Sequence, residues 1–254
     1  SSHINLINKS LLAINDGIIK KVVLSRVESM SINSVDIAMV FQKLLSFYRN
    51  SFVYIWFHPK VGFWVGASPE KLLTIEDDFM QTVALAGTTK ESSDGLVNWS
   101  DKEIKEQQYV KSYILDSLNN VVDNLSSDEL VNVKSGDLYH LCSKISGTLK
   151  SFSDYKDIIK LIHPTPAVCG IPLDTSKEFI NKNECYERSY YTGYLGVISP
   201  IQKSVKLYVN LRCAEVLNNS IKIYVGGGIT KESKPADEFE ETIAKSHIMK
   251  NVFY

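Results

Sequence analysis

Residues 52–90 read FVYIWFHPKVGFWVGASPEKLLTIEDDFMQTVALAGTTK. Aromatic and β-branched residues crowd this stretch, and HisPro at 58–59, Gly62 and SerPro at 68–69 interrupt it at short intervals. Short apolar runs between such breakers read as successive strands joined by turns. The pattern returns downstream in YTGYLGVIS (191–199), KLYVNLRCAEVL (206–217) and IKIYVGGGI (221–229), with Asn218 and Asn219 as a hairpin turn between the last two. Upstream, KKVVLSRVESM (20–30) alternates as a strand, Val22, Leu24 and Arg26 against Val23, Ser25 and Val27. Consecutive hairpins, rather than alternating βαβ units, argue for an α+β fold with mostly antiparallel sheets.

Helical periodicity fills the intervals. It runs over Leu6–Ile19, over Val35–Tyr48, and from Asp101 to about Asn124, where Ser100 and Glu103 have the spacing of a capping box. A strand pattern over 137–150 ends in a short helix, and HPTPAVCGIP (163–172) is too rich in proline to be regular. Residues Thr175 to Arg188 are helix-like, and a last helix follows the start signals Ser233 and Pro235. No stretch has the composition of a flexible linker or a repeat, so residues 1–254 read as one structural unit.

Composition excludes several function classes. Twenty-eight basic against 29 acidic residues leave a formal net charge of −1, without the basic footprint of a nucleic-acid binder. There is no apolar run of about 18 residues, the length of a membrane span. Cys142, Cys169, Cys185 and Cys213 are scattered without a CxxC pair, which favours a reducing cytoplasm over a disulfide scaffold or a zinc site. The opening SSH has the look of a cloning or cleavage remnant.

The charged residues that remain are more specific. At about 100° per residue, Glu238, Glu241 and Lys245 fall on one stripe of the last helix. Such a stripe is either a solvated face with an i,i+4 ion pair, worth a few tenths of a kcal/mol, or a place where a cation and an anionic group are held together. Glu103 and Glu106 form a second i,i+3 pair, and Glu103 has the alternative role of the cap. Carboxylates in pairs suit a hard divalent ion such as Mg²⁺, which takes one or two of them with water and substrate oxygens. Arg212 in an apolar strand either sits at an edge, forks onto a ligand carboxylate, or closes an internal ion pair. The glycines of AGT (86–88) and of 226–228 could, as turns, bring backbone N–H groups close to an anion. Lys21 and Glu70 read singly as solvated charges. In a desolvated pocket the same pair would supply a general base and a general acid.

Taken together, KVVLSR (21–26), GASPEKLL (66–73), LAGT (85–88), DKEIKEQ (101–107), HPTPAVCG (163–170), ERSYYTGYLG (187–196), LRCAEV (211–216), GGGI (226–229) and EFEETIAK (238–245) carry a resemblance. In order and spacing they resemble the chorismate-utilising enzymes, and among these the isochorismate synthases, from about Lys20 to Tyr254. The resemblance implies a four-layer α/β/β/α fold, two orthogonally packed antiparallel sheets with helices outside. It implies a Mg²⁺-dependent reaction on chorismate in which Lys21 activates water to attack C2 and Glu70 protonates the departing C4 hydroxyl. It maps the metal to Glu106 and Glu241, with Glu103 and Glu238 as indirect partners. It maps the substrate carboxylates to Arg212, Tyr191 and Lys245, with backbone groups of Gly87, Thr88, Gly226, Gly227 and Gly228.

Within the family, anthranilate synthases usually carry glutamine where Lys21 stands, and aminodeoxychorismate synthases a lysine where Ala86 stands. HPTPA at 163–167 also resembles the isochorismate synthases. A salicylate synthase, which further eliminates pyruvate, shares the base, acid and metal and stays open as an alternative. So does a truncated chorismate-binding module without turnover, because relatives carry roughly a hundred more residues ahead of the KVVLSR motif and that part is expected to be missing here. Glutamine at 107 stands where many relatives have histidine, with an expected modest effect on the metal. The implied setting is cytoplasmic, the implied partner a small molecule, the implied assembly a monomer or homodimer, and the product is destined for menaquinone or a catechol siderophore.

Overall fold

The computed structural model describes residues 2–92, 94–135 and 138–254, without the side chains of Thr88, Lys90, Lys102, Ser135, Leu138 and Ile248. In chain order the helices are α1 (Ser2–Asn15), α2 (Ile37–Phe47), α3 (Asp101–Leu118), α4 (Tyr155–Ile162), α5 (Leu173–Asn183) and α6 (Pro235–Lys250). The strands are β1 (Lys21–Ser31), β2 (Phe52–His58), β3 (Gly62–Ser68), β4 (Lys71–Glu76), β5 (Phe79–Lys90), β6 (Asp123–Ser127), β7 (Val131–Ser135), β8 (Leu138–Thr148), β9 (Gly170–Ile171), β10 (Tyr194–Ser199), β11 (Ser204–Val209), β12 (Cys213–Val216) and β13 (Ser220–Ile229). Among the described residues no helix is long and apolar enough to cross a membrane.

The chain divides into two compact units, residues 1–70, 168–195 and 208–254 against residues 71–167 and 196–207. The first is built on a sheet of order β2-β3-β12-β13-β1-β9. Its long ladder pairs β1 with β13 antiparallel, Val22 opposite Ile229 through Ser31 opposite Ser220. Side chains alternate between the faces of a strand, so one face of this sheet carries Val22, Leu24, Val65, Ala214, Ile221, Ile223, Val225 and Ile229. All are buried, under Ile7 and Ile14 of α1, Val40 and Leu44 of α2 and Met249 of α6. The other face carries Lys21, Ser25, Trp64, Cys213, Tyr224 and Gly226, with Tyr54 and Tyr191 packed among the aromatic rings. Aliphatic side chains thus dominate the face under the helices, where Arg26 also donates to Thr242 of α6 (2.8 Å), and the aromatic rings lie opposite.

The second unit holds most of a sheet of order β10-β11-β4-β5-β8-β6, with β7 added on β8. β5 and β8 pair antiparallel from Phe79 opposite Thr148 to Lys90 opposite Leu138, with one irregularity between Ala86 and Thr89. α3 is fastened to this sheet by Gln107, 1% exposed, whose amide donates to the Ala84 carbonyl (3.3 Å) and the Ser143 hydroxyl (3.2 Å). The residue expected to tune a metal is therefore an anchor of its helix.

The α+β class and the antiparallel hairpins agree with the sequence reading, but several boundaries differ. KLYVNLRCAEVL is not one strand. Its first half is β11 in the second sheet and its second half β12 in the first. The break falls at Asn210–Arg212, where Arg212 adopts a left-handed backbone (φ 46°). The buried Asn210 fixes this corner, accepting from Tyr54 Oη (2.6 Å) and donating to the Tyr190 carbonyl (2.8 Å). The glycines at 226–228 form no turn. They lie within β13, opposite Ser25, Leu24 and Val23. α3 ends at Leu118 rather than near Asn124, and α5 at Asn183 rather than Arg188. Ser233 does not cap α6. Lys234 stands at the cap position, and Ser233 Oγ accepts from the Thr230 amide (3.1 Å).

Candidate active site

Lys21 opens β1 and is 2% exposed, although a paired Lys20–Lys21 reads as surface. Its main chain is pinned from three sides. Ile171 of β9 pairs opposite it, the Lys20 amide donates to the Ile171 carbonyl (2.7 Å), and the Lys21 carbonyl accepts from Ser176 Oγ (3.1 Å). Glu70 lies between β3 and β4, and its carbonyl accepts from the Val209 amide (2.9 Å). Burial is the larger influence on the Glu70 carboxyl and pushes it up to about 7, while the Lys21 ammonium works in the opposite direction. The structure thus brings these two residues into electrostatic contact, a carboxyl half-protonated near neutrality beside a buried amine.

Gly226 is the next element of the same face. A Cβ there would stand 2.8 Å from the Leu24 carbonyl oxygen and 3.0 Å from Tyr191 Oη. Only glycine lets the tyrosine ring approach β13 this closely. Tyr191 is buried and stacked on Tyr224 at 5.7 Å, and burial pushes its phenol far above its ordinary range, so it is a neutral hydroxyl. The carbonyl of Gly226 also accepts from Lys245 Nζ (3.1 Å), and the same ammonium pairs with Glu241 Oε1 at 2.6 Å. The i,i+4 ion pair therefore exists, with both side chains about one third exposed (33% and 36%). One turn earlier, Glu238 is 8% exposed, with Oε2 3.8 Å from where a Cβ of Gly227 would stand. Gly228 continues β13 opposite Val23. β12 covers β13 only over Ile221–Ile223. The glycines thus sit in strand geometry beyond the reach of that ladder. Arg212 places its guanidinium over the Tyr48 ring, 5.7 Å from the centroid.

In the second unit, Gly87 sits at the β5 irregularity with φ +74°, and its carbonyl accepts from or faces His140 Nδ1 at 3.0 Å. A Cβ there would be 2.9 Å from Cβ of Glu103, so the glycine lets α3 close on β5. Glu103 itself serves as the cap, accepting from the Ser100 amide (3.0 Å) and from the Ser100 hydroxyl. Glu106 lies one turn further on α3, half-buried. Thr88 has its backbone in β5, and its side chain is outside the described residues. Among the described residues no group of three or more His, Cys, Asp or Glu side chains gathers closely enough to hold a metal ion.

One buried network was not legible in the sequence. Glu184, its side chain 2% exposed, accepts from Arg188 Nε (2.8 Å) and NH2 (2.6 Å) in a fork, and from the Ser25 amide (2.7 Å) and hydroxyl (2.9 Å). Tyr186 Oη donates to Ser25 Oγ at 2.5 Å. Helical periodicity over 175–188 gives these residues no special standing. The available signal was the i,i+4 spacing of Glu184 and Arg188, the second of which lies within the ERSYYTGYLG motif.

The family of chorismate binding enzymes matches residues 1–254. Isochorismate synthase MenF of Haemophilus influenzae is 29% identical over 254 residues, 94% of this chain and 57% of its own length. Isochorismate synthase DhbC of Bacillus subtilis is 32% identical over 195 residues, 73% of this chain and 49% of its own. The chain spans about half the length of these curated relatives. Among solved structures, MenF of Escherichia coli, described as menaquinone-specific, superposes with a TM-score of 0.92 at 26% identity, over 100% of this chain and 60% of that one. Anthranilate synthase component I of Streptococcus pneumoniae shares the fold, with a TM-score of 0.86 at 20% identity over 98% of this chain and 57% of that one. By a family match that runs over all of its residues, the chain belongs to the chorismate-binding enzymes.

Proposed function

We propose that this chain converts chorismate to isochorismate, with Lys21 as general base and Glu70 as general acid. The observation that carries the reading is the buried Lys21 acting on a Glu70 carboxyl pushed up to about 7. From its neutral amine form Lys21 takes a proton from water as the oxygen bonds to C2, the ring double bonds shift, and Glu70 gives its proton to the C4 hydroxyl, which leaves as water. One water enters and one departs, so the product is an isomer. The neutral Tyr191 hydroxyl offers a hydrogen bond, not charge, to the bound ring. Relatives that bear the name isochorismate synthase support this reading over amination.

Mg²⁺ is part of the proposal. Carboxylate oxygens are the donors such an ion prefers, and it needs only one or two from protein, so the pairs Glu103–Glu106 on α3 and Glu238–Glu241 on α6 fit its chemistry. When bound, the ion would neutralise negative charge on the substrate. Glu106→Gln should weaken Mg²⁺ uptake measured by calorimetry at least tenfold; unchanged uptake removes Glu106 from the set. Lys21→Ala should lower turnover by roughly 10²–10⁴-fold, and near-normal turnover in a folded variant would refute the base.

Incubation with chorismate, in Mg²⁺ and in EDTA, with chromatography of the products tests the whole reading. Metal-dependent isochorismate without pyruvate is the expected result. Salicylate with pyruvate would move the chain to the lyase reaction, and bound but unconverted chorismate would make it a binding module.

A further inference from the structure

The edge of β1 beyond β9 is closed by an ion pair instead of a strand. β9 contributes two residues, paired with Lys21 and Val22, and the ladder continues for one more bond, from the Val23 amide to the Cys169 carbonyl (2.8 Å). From there the backbone groups of β1 on that edge are met by side chains. The Val23 carbonyl accepts from Arg188 NH2 (2.7 Å) and the Ser25 amide donates to Glu184 Oε1 (2.7 Å). Arginine supplies the donor, glutamate the acceptor, and the fork between them fixes their spacing. Arg188 NH1 also donates to the Val168 carbonyl (3.0 Å), tying β1 to the segment that leads into β9.

Such a pair is an expensive way to close an edge. Two buried charges lose their hydration, and the cost is offset only when every lone pair and proton is used. Here the two Glu184 oxygens receive four hydrogen bonds and Arg188 serves two further carbonyls, on Val23 and Val168. An ordinary third residue of β9 would satisfy the same main chain without buried charge. What the pair adds is rigidity at Val23–Ser25, which begins two residues on from Lys21 and places Ser25 opposite Gly226.

We propose that Glu184 and Arg188 form a positioning clamp, which substitutes for a strand at the edge of β1 and holds Lys21 at a fixed distance from Glu70. The proposal rests on the reading of Lys21 and Glu70 as base and acid. The clamp residues touch neither substrate nor reacting atoms. They act through the strand.

The test uses Glu184→Gln and Arg188→Lys in the full chain, which keep one side of the hydrogen bonding and so favour folding, beside Arg188→Ala. Two quantities are read, the steady-state constants with chorismate and the titration of Glu70 by NMR of ¹³C-labelled glutamate. Among the described residues Lys21 is the charged group that acts on the Glu70 carboxyl. A Lys21 released from its place therefore lets that carboxyl titrate higher. The clamp predicts an upward shift in the Glu70 titration, with kcat lowered at least about tenfold and KM changed less than about threefold. Arg188→Lys should recover part of what Arg188→Ala loses. An unmoved Glu70 titration with parental kcat in a folded variant would overturn the proposal, even if the unfolding midpoint drops, because that is the signature of a merely structural pair. If the parent chain shows no turnover, the isomerase reading fails separately. The titration then decides alone, a shift supporting the clamp and no shift refuting it.

Discussion

Glu70→Gln should lower turnover of chorismate by roughly 10²–10⁴-fold, the range for loss of a positioned general acid. Glutamine keeps the shape and a hydrogen-bond donor but has no proton to give to a leaving hydroxyl. The pH dependence follows from the same group. In the proposed role Glu70 acts in its protonated form, so kcat/KM should fall as pH rises through about 7. The residual activity of the variant should lack that limb. Stability moves with it. A carboxyl whose folded value lies above its ordinary one binds more protons in the folded than in the unfolded state, so stability declines as pH rises from the ordinary value through about 7 and is level beyond. The full loss is on the order of 3 kcal/mol, and Glu70→Gln should abolish it. Urea titrations at pH 5 and pH 8 check the point. A parent protein equally stable at both would show that Glu70 is an ordinary exposed carboxylate.

The second large effect is structural, at Gly170→Ala. A Cβ at Gly170 would stand 2.3 Å from the Lys21 carbonyl oxygen and 2.5 Å from Ser176 Oγ, at a backbone φ of +150°. The first neighbour is main chain in a paired strand and has nowhere to go. Overpacking and a disfavoured backbone conformation add, and a loss of about 3 kcal/mol or more is expected. The displacement falls on Lys21 itself, so kcat should suffer even where the variant folds. Gly17→Ala is the control. Its φ is +73°, but nothing lies within 4 Å of the added methyl, which leaves only backbone strain of about 1–2 kcal/mol. Denaturant midpoints compare the two, and equal losses would mean that the contact with Lys21 is not what excludes a side chain at Gly170.

The sequence was most readable where hydrophobic periodicity and local breakers agree. The hairpins β2–β3 and β12–β13 follow from HisPro, Gly62 and the Asn218–Asn219 turn, and Asp36 caps α2 close to the start set by its apolar spacing. It was least readable where a local signal and a distant contact compete. Three consecutive glycines read as a turn by propensity, yet they lie in a strand, and at Gly226 the Tyr191 ring, thirty-five residues away, needs a position without a side chain. Apolar alternation runs unbroken through Val209 and Leu211, so nothing local marks the corner that Tyr54 and Tyr190 impose on Asn210. β9 hides in a proline-rich run because its partner, Lys21, is far away in sequence. Site residues were named by chemical type and resemblance. What the sequence could not supply is that Lys21 is buried, that Glu70 is raised, or that Glu184 and Arg188 meet Ser25 and Val23.

The split of the old 206–217 run between two sheets has a consequence for how the chain acquires its structure. The first unit is assembled from three segments, separated in sequence by the two segments of the second. Pairing Val22 with Ile229 closes a loop that contains most of the polypeptide. That closure brings little return until both ends are in register, whereas β4–β5 needs only the turn at Asp77–Asp78. Local hairpins of the second unit should therefore gain protection from hydrogen exchange early, and the β1–β13 ladder last. Lys21 lies at the end of that last ladder, so a nascent or nicked chain would carry stable sheet structure well before it positions the proposed base.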